Sequence, residues 1–298
     1  MVKELEQLID MAKKRPVKTM SVAVADDNDI LKAVAKAVNL GIINATLVGN
    51  KERIEAILKD ENILIKGAKI INEKDSKNAA KIAVEEVSLG KADFIMKGMI
   101  NTADLLKAVL DKKADLRGKG ILSHVMVYET PTYHKLLFLT DGGMIPYPDV
   151  NDKVAIINNA VFVASSLGIQ TPKVAAICAV ETVNPSMQST IDASILSQMN
   201  KRGQIKNCLV DGPLGLDNSI SKEAANHKGI KSEVAGDADI LLVPNIESGN
   251  FLGKSLTYFG KAKSAGIIVG AKCPIVLVSR ADCAMSKLYS IALGALMD

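Results

Sequence analysis

The sequence predicts an α/β protein in which mostly parallel sheets are covered by helices on both faces. Short apolar runs of strand length alternate with longer segments in which apolar residues recur at helical spacing. Because a strand, a helix and a second strand form a βαβ unit, this alternation requires parallel strands. The chain has 298 residues, of which 48% are hydrophobic, so it is long enough to form one or two such domains.

Four pairs of strand and helix follow an amphipathic first helix. The strand segments read KTMSVAVADDND, ATLVGN, AKIINE and ADFIMKG. The helix segments after them read DILKAVAKAVNLG, KERIEAILKD, SKNAAKIAVEEVSLG and NTADLLKAVLD. The Asp/Asn cluster before the first of these helices predicts a cap, and the Gly at its end predicts a stop.

The middle of the chain departs from this pattern and then returns to it. The segment SHVMVYETPTYHKLLFLTD holds two apolar runs around a polar turn with Pro, which predicts an antiparallel hairpin. The later strands are KVAAICAV, NCLVDGP and ADILLVPN, the later helices are NDKVAIINNAVFVASSLG, STIDASILSQMNKRG and GNFLGKSLTYFGKAKSAG, and IIVGAKCPIVLVSR precedes a closing helix. We expect two α/β domains, residues 1–118 plus 270–298 and residues 119–269.

Composition and charge exclude several classes of function. The net charge is +4, basic and acidic residues are interspersed, and there is no Trp, so no nucleic-acid surface is predicted. The charged N-terminus resembles no secretory signal and no apolar run approaches the ~18 residues of a membrane span, which predicts a cytoplasmic protein. Four cysteines without CxxC spacing and three isolated histidines predict reduced thiols and no zinc site.

Polar residues stand at the ends of five predicted strands, where parallel α/β sheets bind their ligands. The segments are MKGMINTADLLK, LSHVMV, VDGPLGLD, VPNIESGN and PIVLVSRADCAMSK. They supply the predicted substrate-binding residues, which are Lys97, Gly98, Asn101, Thr102, Lys107, Ser123, Asp211, Asn245, Ser248, Gly249 and Asn250.

The segment MKGMINTADLLK has the composition of an anion site. Lys97 and Gly98 end a strand, and the helix that begins near Asn101 and Thr102 offers its first backbone N–H groups to an anion. A simple N-cap by Asn101 or Thr102 explains the same residues. VPNIESGN repeats the arrangement. The chain holds no GxGxxG and no GxxxxGK[ST], so neither a dinucleotide fingerprint nor a P-loop is predicted.

Three reactive groups, Ser279, Arg280 and Asp282, occupy four positions after the strand PIVLV and are the predicted catalytic residues. Arg280 presents a fork of donors that fits phosphate, and Ser279 can donate to a developing oxyanion. Asp282 is either a catalytic carboxylate or a favourable charge in the first turn of a helix. Asp211 in VDGP is likewise either a functional residue or the acceptor of an Asx turn.

Six segments, taken in order, resemble the phosphate acetyl/butyryltransferases, most closely their butyryltransferase branch. The likeness extends from about Val17 to the end of the chain. The segments are DFIMKGMINTADLLKAVL, LSHVMVYETPTYHKLLFLTDGGMIPYPD, VAAICAVETVNPSMQSTIDA, CLVDGPLGLDNSIS, VAGDADILLVPNIESGN and IIVGAKCPIVLVSRAD.

The resemblance implies that butyryl-CoA and phosphate are converted reversibly into butyryl phosphate and CoA. Coenzyme A is then a substrate, no cofactor is bound permanently and no metal takes part. It also implies two α/β domains related in fold to the isocitrate and isopropylmalate dehydrogenases, with Ser279 and Arg280 in a cleft between them. The partners are acyl-CoA, phosphate and acyl phosphate, and relatives of this kind form dimers or larger homo-oligomers.

The sequence departs from the family pattern at two positions. Lys107 stands where many relatives carry Arg, which keeps the charge but loses bidentate geometry. Ser286 stands where the acetyl-transferring branch carries Asp, which leaves Asp282 as the nearest carboxylate.

Three other functions fit parts of the sequence. They are a phosphate acetyltransferase, a metal-dependent dehydrogenase of the same fold, and a non-catalytic sensor of acyl phosphate or CoA. A dehydrogenase needs a cluster of carboxylates around a divalent ion, and no convincing Asp cluster is found. The density of polar groups at strand ends argues against a sensor.

Overall fold

The computed structural model describes residues 2–118, 120–279 and 282–297. Within these ranges, no helix combines the length and the apolar character that crossing a bilayer requires. The helices and strands are, in chain order, α1 (Glu6–Ala12), β1 (Lys18–Ala23), α2 (Asn28–Asn39), β2 (Ile43–Gly49), α3 (Lys51–Asp60), β3 (Lys69–Asn72), α4 (Ser76–Ser88), β4 (Phe94–Lys97), α5 (Thr102–Val109), β5 (Ser123–Glu129), β6 (Leu137–Thr140), α6 (Val150–Ser166), β7 (Lys173–Ile177), α7 (Gln188–Lys201), β8 (Leu209–Leu214), α8 (Leu216–Ile220), α9 (Lys222–His227), β9 (Ile240–Leu242), α10 (Ile246–Tyr258), β10 (Lys263–Val269), β11 (Ile275–Val276) and α11 (Ala284–Leu296).

The chain folds into two compact units. The terminal unit contains Glu6–Gly120 and Ala265–Asp298, and the central unit contains Met1–Leu5 and Ile121–Ser264. The boundaries predicted at 118/119 and 269/270 lie near these divisions. Residues 1–5, however, group with the central unit and not with the segment that follows them.

In the terminal unit the strand order is β3-β2-β1-β4-β11-β10. Neighbouring strands from β3 to β11 run parallel, and only β10 and β11 are antiparallel. The chain passes from β1 outward to β2 and β3 and then returns to β4 on the other side of β1. Such a reversal is a topological switch point, where open α/β sheets bind ligands beyond the carboxyl ends of their strands. Ala23 and Lys97, which pair at the ends of β1 and β4, border this point.

Helix α11 packs tightly against the middle of this sheet. Leu288, Ile291 and Leu293 are fully buried. A Cβ at Gly294 would lie 2.8 Å from the Val276 side chain and 3.0 Å from the ring of Phe94, so the helix can approach β11 and β4 this closely only with glycine there. This packing fixes β11 and α11, which flank the predicted catalytic residues in the sequence.

In the central unit the strand order is β5-β6-β9-β7-β8. The predicted hairpin is confirmed, since β5 and β6 pair antiparallel with Val127 opposite Phe138. The pairs β6/β9, β9/β7 and β7/β8 are parallel. The start of β5 therefore lies beside the ends of β6 and β9, at the edge where ligands are expected.

The helix predicted over residues 249–266 is too long. Helix α10 ends at Tyr258, and Lys261 adopts a positive φ of 51° that breaks the helical backbone. Residues 263–269, KSAGIIV, form strand β10 because their buried apolar side chains complete the sheet. The short helices α8 and α9 have no counterpart in the sequence prediction.

Asp211 does not end its strand, as the VDGP turn had predicted. Strand β8 continues through Pro213 to Leu214. It tolerates Pro because it is the last strand in the order of its sheet, and its pairing with β7 shifts register between Ala175 and Ile177.

Candidate active site

Two of the predicted segments in the terminal unit end on neighbouring strands. Lys97 is the last residue of β4, and Ser279 follows β11, which pairs with β4 through Val276 and Met96. The parallel register places Lys97, Gly98 and Ser279 at the same edge of the sheet. Arg280 lies outside the described residues.

The turn after β4 is held against the turn after β1 by a very close backbone approach. The Gly98 N–H donates to the Ala23 carbonyl at 2.9 Å, and the Met99 N–H donates to the Val24 carbonyl at 2.8 Å. A Cβ at Gly98 would lie 2.0 Å from the Val24 carbonyl oxygen, so only glycine fits. Val24 itself adopts a φ of 60°, which is a strained conformation for a β-branched residue.

The remaining groups of the predicted anion site lie along α5. Lys97 is buried, and its Nζ donates to the Gly98 carbonyl at 3.2 Å. Asn101 occupies the N-cap position of α5, but its side chain makes no capping hydrogen bond, and Thr102 is the first helical residue. Lys107 lies in the last turn of α5, on its exposed surface, away from the helix start. There its charge also favours the negative end of the helix dipole.

The Asp282 carboxylate contacts the backbone of Ser279, three residues earlier in the chain. Its Oδ2 accepts the Ser279 backbone N–H at 2.7 Å. Burial raises the pKa of the Asp282 carboxyl, and the Ser279 N–H and the charge of Lys287 offset part of that rise.

A buried lysine that the sequence analysis missed supports this turn. Lys287 in α11 is only 2% exposed, and its Nζ donates to the Asp282 carbonyl and lies 4.0 Å from the Asp29 carboxylate. A lysine within a predicted helix is ordinarily a surface residue, so the sequence offered no signal for it.

In the central unit, four of the predicted residues lie where the chain leaves β9 and enters α10. Asn245 caps the helix, because its Oδ1 accepts the Ser248 N–H at 2.9 Å and the Ser248 hydroxyl at 2.5 Å. A Cβ at Gly249 would lie 2.6 Å from the Cα of Gly142, so the first turn of α10 rests directly on the loop after β6. Asn250 is exposed on the same turn.

Ser123 and Asp211 lie at opposite ends of the strand order of this unit. Ser123 is fully buried at the start of β5, and its Oγ accepts a hydrogen bond from Asn159 Nδ2 at 2.8 Å. Asp211 on β8 accepts the Ser197 hydroxyl at 3.3 Å and the Gly212 N–H at 2.9 Å. The fold brings Ser123 near the α10 turn and leaves Asp211 three strands away from β6.

A buried carboxylate beside Ser123 was also missed. Asp141 follows β6, is 2% exposed and accepts the N–H groups of Gly143, Met144 and Ile145 at 2.9–3.2 Å. Burial raises its pKa to about 6, even though these hydrogen bonds act in the opposite direction. The sequence carried a usable signal, since the segment LTDGG places this Asp after an apolar run.

His124 lies opposite Asp141 across the β5/β6 pair. Burial lowers the pKa of its imidazole to about 4, so the ring is neutral at physiological pH. Its Nε2 is buried and has no hydrogen-bond partner among the described residues. Among those residues, no group of three or more His, Cys, Asp or Glu side chains is arranged to hold a metal ion.

Comparison with known proteins shows the family of the chain. The profile described as Phosphate acetyl/butaryl transferase matches residues 4–85 and 75–295. The chain belongs to the phosphate acetyl/butyryltransferase family. It is 50% identical over 297 residues to the phosphate butyryltransferase of Clostridium acetobutylicum, covering 100% of this chain and 99% of that protein. It is 46% identical to the phosphate acetyltransferase of Thermotoga maritima, with 98% of each chain covered.

Solved structures of other proteins share the fold of this chain. A branched-chain phosphotransacylase from Enterococcus faecalis is 37% identical, with a TM-score of 0.84 over 94% of this chain and 99% of that chain. A 4-hydroxythreonine-4-phosphate dehydrogenase from Klebsiella pneumoniae is 13% identical, with a TM-score of 0.57 over 93% and 98%, and shares the fold alone. The predicted family, the dehydrogenase-like α/β fold and the acyltransferase class of enzyme are thereby confirmed, and coenzyme A is the substrate that this family uses.

The raised pKa of Asp141 predicts how stability depends on pH in this phosphate acyltransferase. The folded chain holds the proton more tightly than the unfolded chain, so stability should fall as pH rises from about 4 to about 6. The loss amounts to roughly 3 kcal/mol for a shift of this size. In Asp141→Asn this loss should be absent from urea-unfolding free energies measured across the same pH range. A variant profile parallel to the wild-type profile would contradict the prediction.

Proposed function

We propose that the protein catalyses the reversible reaction of butyryl-CoA with phosphate to give butyryl phosphate and CoA. The observation that carries this proposal is the 50% identity, over essentially the whole of both chains, to an enzyme named phosphate butyryltransferase. The 46% identity to a phosphate acetyltransferase favours acetyl as the second candidate acyl group. A cytoplasmic homo-oligomer, and an active site in a cleft between the two domains, stay predictions.

The proposed chemistry is direct attack by one substrate on the other. When acyl phosphate is consumed, the CoA thiol must lose its proton before its sulfur attacks the acyl carbonyl. Negative charge then builds on the carbonyl oxygen and on the departing phosphate. Since phosphate is already a good leaving group, positioning and charge neutralisation are the main catalytic work.

Three residues after β11 take the catalytic roles. Ser279 donates a hydrogen bond to the carbonyl oxygen, and Arg280 holds the phosphate with two parallel donors. Asp282 accepts the thiol proton. Burial raises its pKa, which makes it a stronger base than a solvated carboxylate. The Ser279 N–H that donates to Asp282 supports this assignment, because it ties the proposed donor and base into one turn.

The other predicted residues bind the substrates. Lys97, together with the N–H groups at the start of α5 near Asn101 and Thr102, is suited to phosphate, and Gly98 lets the chain turn there. The buried position of Lys97 at the end of β4 supports this role, because a charge in that position interacts strongly with a bound anion. Lys107, in the last turn of α5, lies farther from the start of that helix than Lys97 does. In the central unit we assign the acyl-CoA contacts to the start of α10, at Asn245, Ser248, Gly249 and Asn250. The contacts predicted for Ser123 and Asp211 rest on the sequence alone, because Ser123 is fully buried and Asp211 lies three strands away from β6.

The acyl preference is tested by comparing acetyl-, propionyl-, butyryl- and branched-chain acyl-CoA in a phosphate-dependent assay of CoA release. We expect the highest kcat/KM with butyryl-CoA and no release without phosphate. A higher kcat/KM for acetyl-CoA would favour the acetyltransferase alternative. Absence of phosphate-dependent release with every acyl-CoA would contradict the proposed function.

Replacement of Arg280 should mainly affect catalysis. Arg280→Ala should lower kcat by roughly 10²–10³, the range for losing one preorganised donor to developing charge. Arg280→Lys should recover only part of this, because it restores the charge without the fork. Arg202→Ala, which removes an exposed arginine at the end of α7, is the control and should keep wild-type kinetics. Near-normal rates in Arg280→Ala at subsaturating phosphate would remove Arg280 from the site.

Cys283 offers a covalent alternative to direct transfer. The thiol is exposed at the N-cap of α11, and Sγ lies 3.7 Å from the Ser286 hydroxyl. Partial burial raises its pKa, but hydrogen bonds from Ser286 and from the Met285 N–H outweigh this and lower it. An enzyme thioester would nevertheless only exchange one thioester for another, without easing a difficult step.

Direct transfer therefore predicts that Cys283→Ala keeps most of its activity. Initial-rate lines at varied phosphate and several fixed acyl-CoA concentrations should intersect, as expected for a ternary complex. Parallel lines, together with a folded but inactive Cys283→Ala protein, would instead establish an acyl-cysteine intermediate.

A further inference from the structure

Asp141 is a buried carboxylate to which the proposed mechanism gives no role. Its side chain is 2% exposed, and its two oxygens accept the N–H groups of Gly143, Met144 and Ile145 at 2.9–3.2 Å. Successive backbone N–H groups of this kind form a concavity that binds an anion. Here the anion is a side chain of the same loop, so the carboxylate fixes the conformation of the chain after β6.

The loop after β6, residues 141–146, contacts the start of α10 at two points. The N–H of Ile246, the first residue of α10, donates to the Pro146 carbonyl at 3.1 Å. Gly142 lies against Gly249, because a Cβ at Gly142 would lie 2.8 Å from the carbonyl carbon of Gly249. Both ends of the loop therefore touch the first turn of α10.

The sheet itself ends just before these contacts. The Val243 N–H donates to the Thr140 carbonyl at 2.9 Å, and beyond this bond both segments leave the β6/β9 pair. The loop after β6 is thus the support on which the first turn of α10 rests. A change in the loop must change the position of that turn, because the Gly142 and Gly249 backbones are already in contact.

A carboxylate suits this loop better than a neutral side chain of the same shape. It offers acceptor sites on both oxygens and no donor. Oδ1 accepts from Gly143 and Met144, and Oδ2 accepts from Ile145. An amide at position 141 could meet the first two N–H groups with its oxygen, but its NH₂ group would then face the Ile145 N–H, donor against donor. The end of the loop next to Pro146 therefore depends on the second carboxylate oxygen.

Stability of the fold does not account for this charge. Burial raises the pKa of the Asp141 carboxyl to about 6. The folded chain binds the proton more tightly than the unfolded chain, so at neutral pH the ionised carboxylate lowers the free energy of unfolding. Groups with a pKa perturbed by burial cluster at functional sites, where a fixed geometry outweighs the cost in stability.

We propose that Asp141 is a positioning residue for acyl-CoA binding, which acts through the loop after β6 to fix the start of α10. This inference rests on the proposed function, which assigns the acyl-CoA contacts to Asn245, Ser248, Gly249 and Asn250. Asp141 does not touch the substrate itself. A helix start that is already in place spends no binding energy on ordering when the ligand arrives.

The first test compares the steady-state kinetics of wild type and Asp141→Asn with butyryl-CoA and phosphate at about pH 7.5, where a carboxyl with a pKa of about 6 is ionised. The KM for butyryl-CoA should rise about tenfold, the loss expected for one hydrogen bond to a charged group. The kcat and the KM for phosphate should stay as in wild type. A merely structural role would instead reduce the fraction of active enzyme, and so kcat, without changing either KM.

Asp149→Asn is the matched control. Asp149 is an exposed carboxylate that also accepts a backbone N–H, from Asp152 at 2.9 Å, but it caps α6 and does not hold the loop after β6. This variant should have wild-type kinetics with both substrates.

A second variant acts on the same contact without touching the carboxylate. Gly142→Ala introduces a Cβ 2.8 Å from the Gly249 backbone, so the first turn of α10 must move away and the KM for butyryl-CoA should rise. In the double variant with Asp141→Asn the rise should be smaller than the product of the two single rises, because both changes act on one contact.

Hydrogen exchange of the intact protein without substrate gives a readout that needs no activity. The backbone amides of residues 246–251 should exchange faster in Asp141→Asn and in Gly142→Ala than in wild type, and at the wild-type rate in Asp149→Asn.

Unchanged exchange together with an unchanged KM for butyryl-CoA in Asp141→Asn and Gly142→Ala would overturn the proposal. An equal rise of the KM for phosphate would also overturn it, as would faster exchange with a wild-type KM for butyryl-CoA. A wild-type protein that releases no CoA from any acyl-CoA would contradict the proposed function, while faster exchange in the two variants would still support the link between Asp141 and α10.

Discussion

The contact between the backbones of Gly98 and Val24 is the constraint on which the terminal half of the site depends. The chain can leave β4 beside β1 only because residue 98 has no side chain, since a Cβ there would lie 2.0 Å from the Val24 carbonyl oxygen. The same contact keeps Val24 at a φ of 60°, a strain of about 1–3 kcal/mol. Because the two turns cannot separate, Lys97 and the start of α5 have fixed positions around one switch point.

Backbone groups hold the buried charges near these strand ends. Three N–H groups hold the Asp141 carboxylate, and the Ser279 N–H holds Asp282. Carbonyl groups accept from Lys97 and Lys287. A backbone dipole orients a charged side chain without neutralising its charge. A buried charge that is already oriented interacts strongly with substrate and needs no reorganisation as the reaction proceeds.

An acyl transfer between thiol and phosphate suits such a site. Both substrates are anionic, and the reaction requires little covalent help from the protein beyond accepting a proton and neutralising charge. Binding energy from the nucleotide end of CoA, which does not react, can be used to hold the thiol in place for attack. In our proposal the residues after β11 supply the charge stabilisation.

The sequence by itself determined the alternation of strands and helices, the hairpin at β5 and β6, the family, and the strand ends at which polar residues gather. Hydrophobic periodicity and turn residues are local properties, so they can be read along the chain. The motifs were specific as a set, which is why they predict the acyltransferase class without the tertiary structure. The extra helical length assigned after Tyr258 shows the limit of local patterns. A short apolar run such as KSAGIIV reads equally well as helix or strand until its neighbours in the sheet are known.

Only the tertiary structure decided which of these residues share an edge and which carry a perturbed charge. The strand order placed Ser279 at the same sheet edge as Lys97 and set Asp211 apart from Ser123. Packing buried Lys287, which looks like a surface residue in the sequence, and it buried Asp141, whose place after an apolar run does not reveal its burial. The space left between the ends of β1, β2, β3 and β4 formed a cavity whose wall comes from segments up to 75 residues apart. Burial, pKa and cavity volume arise from atoms that are distant in the chain and close in space, so no local pattern encodes them.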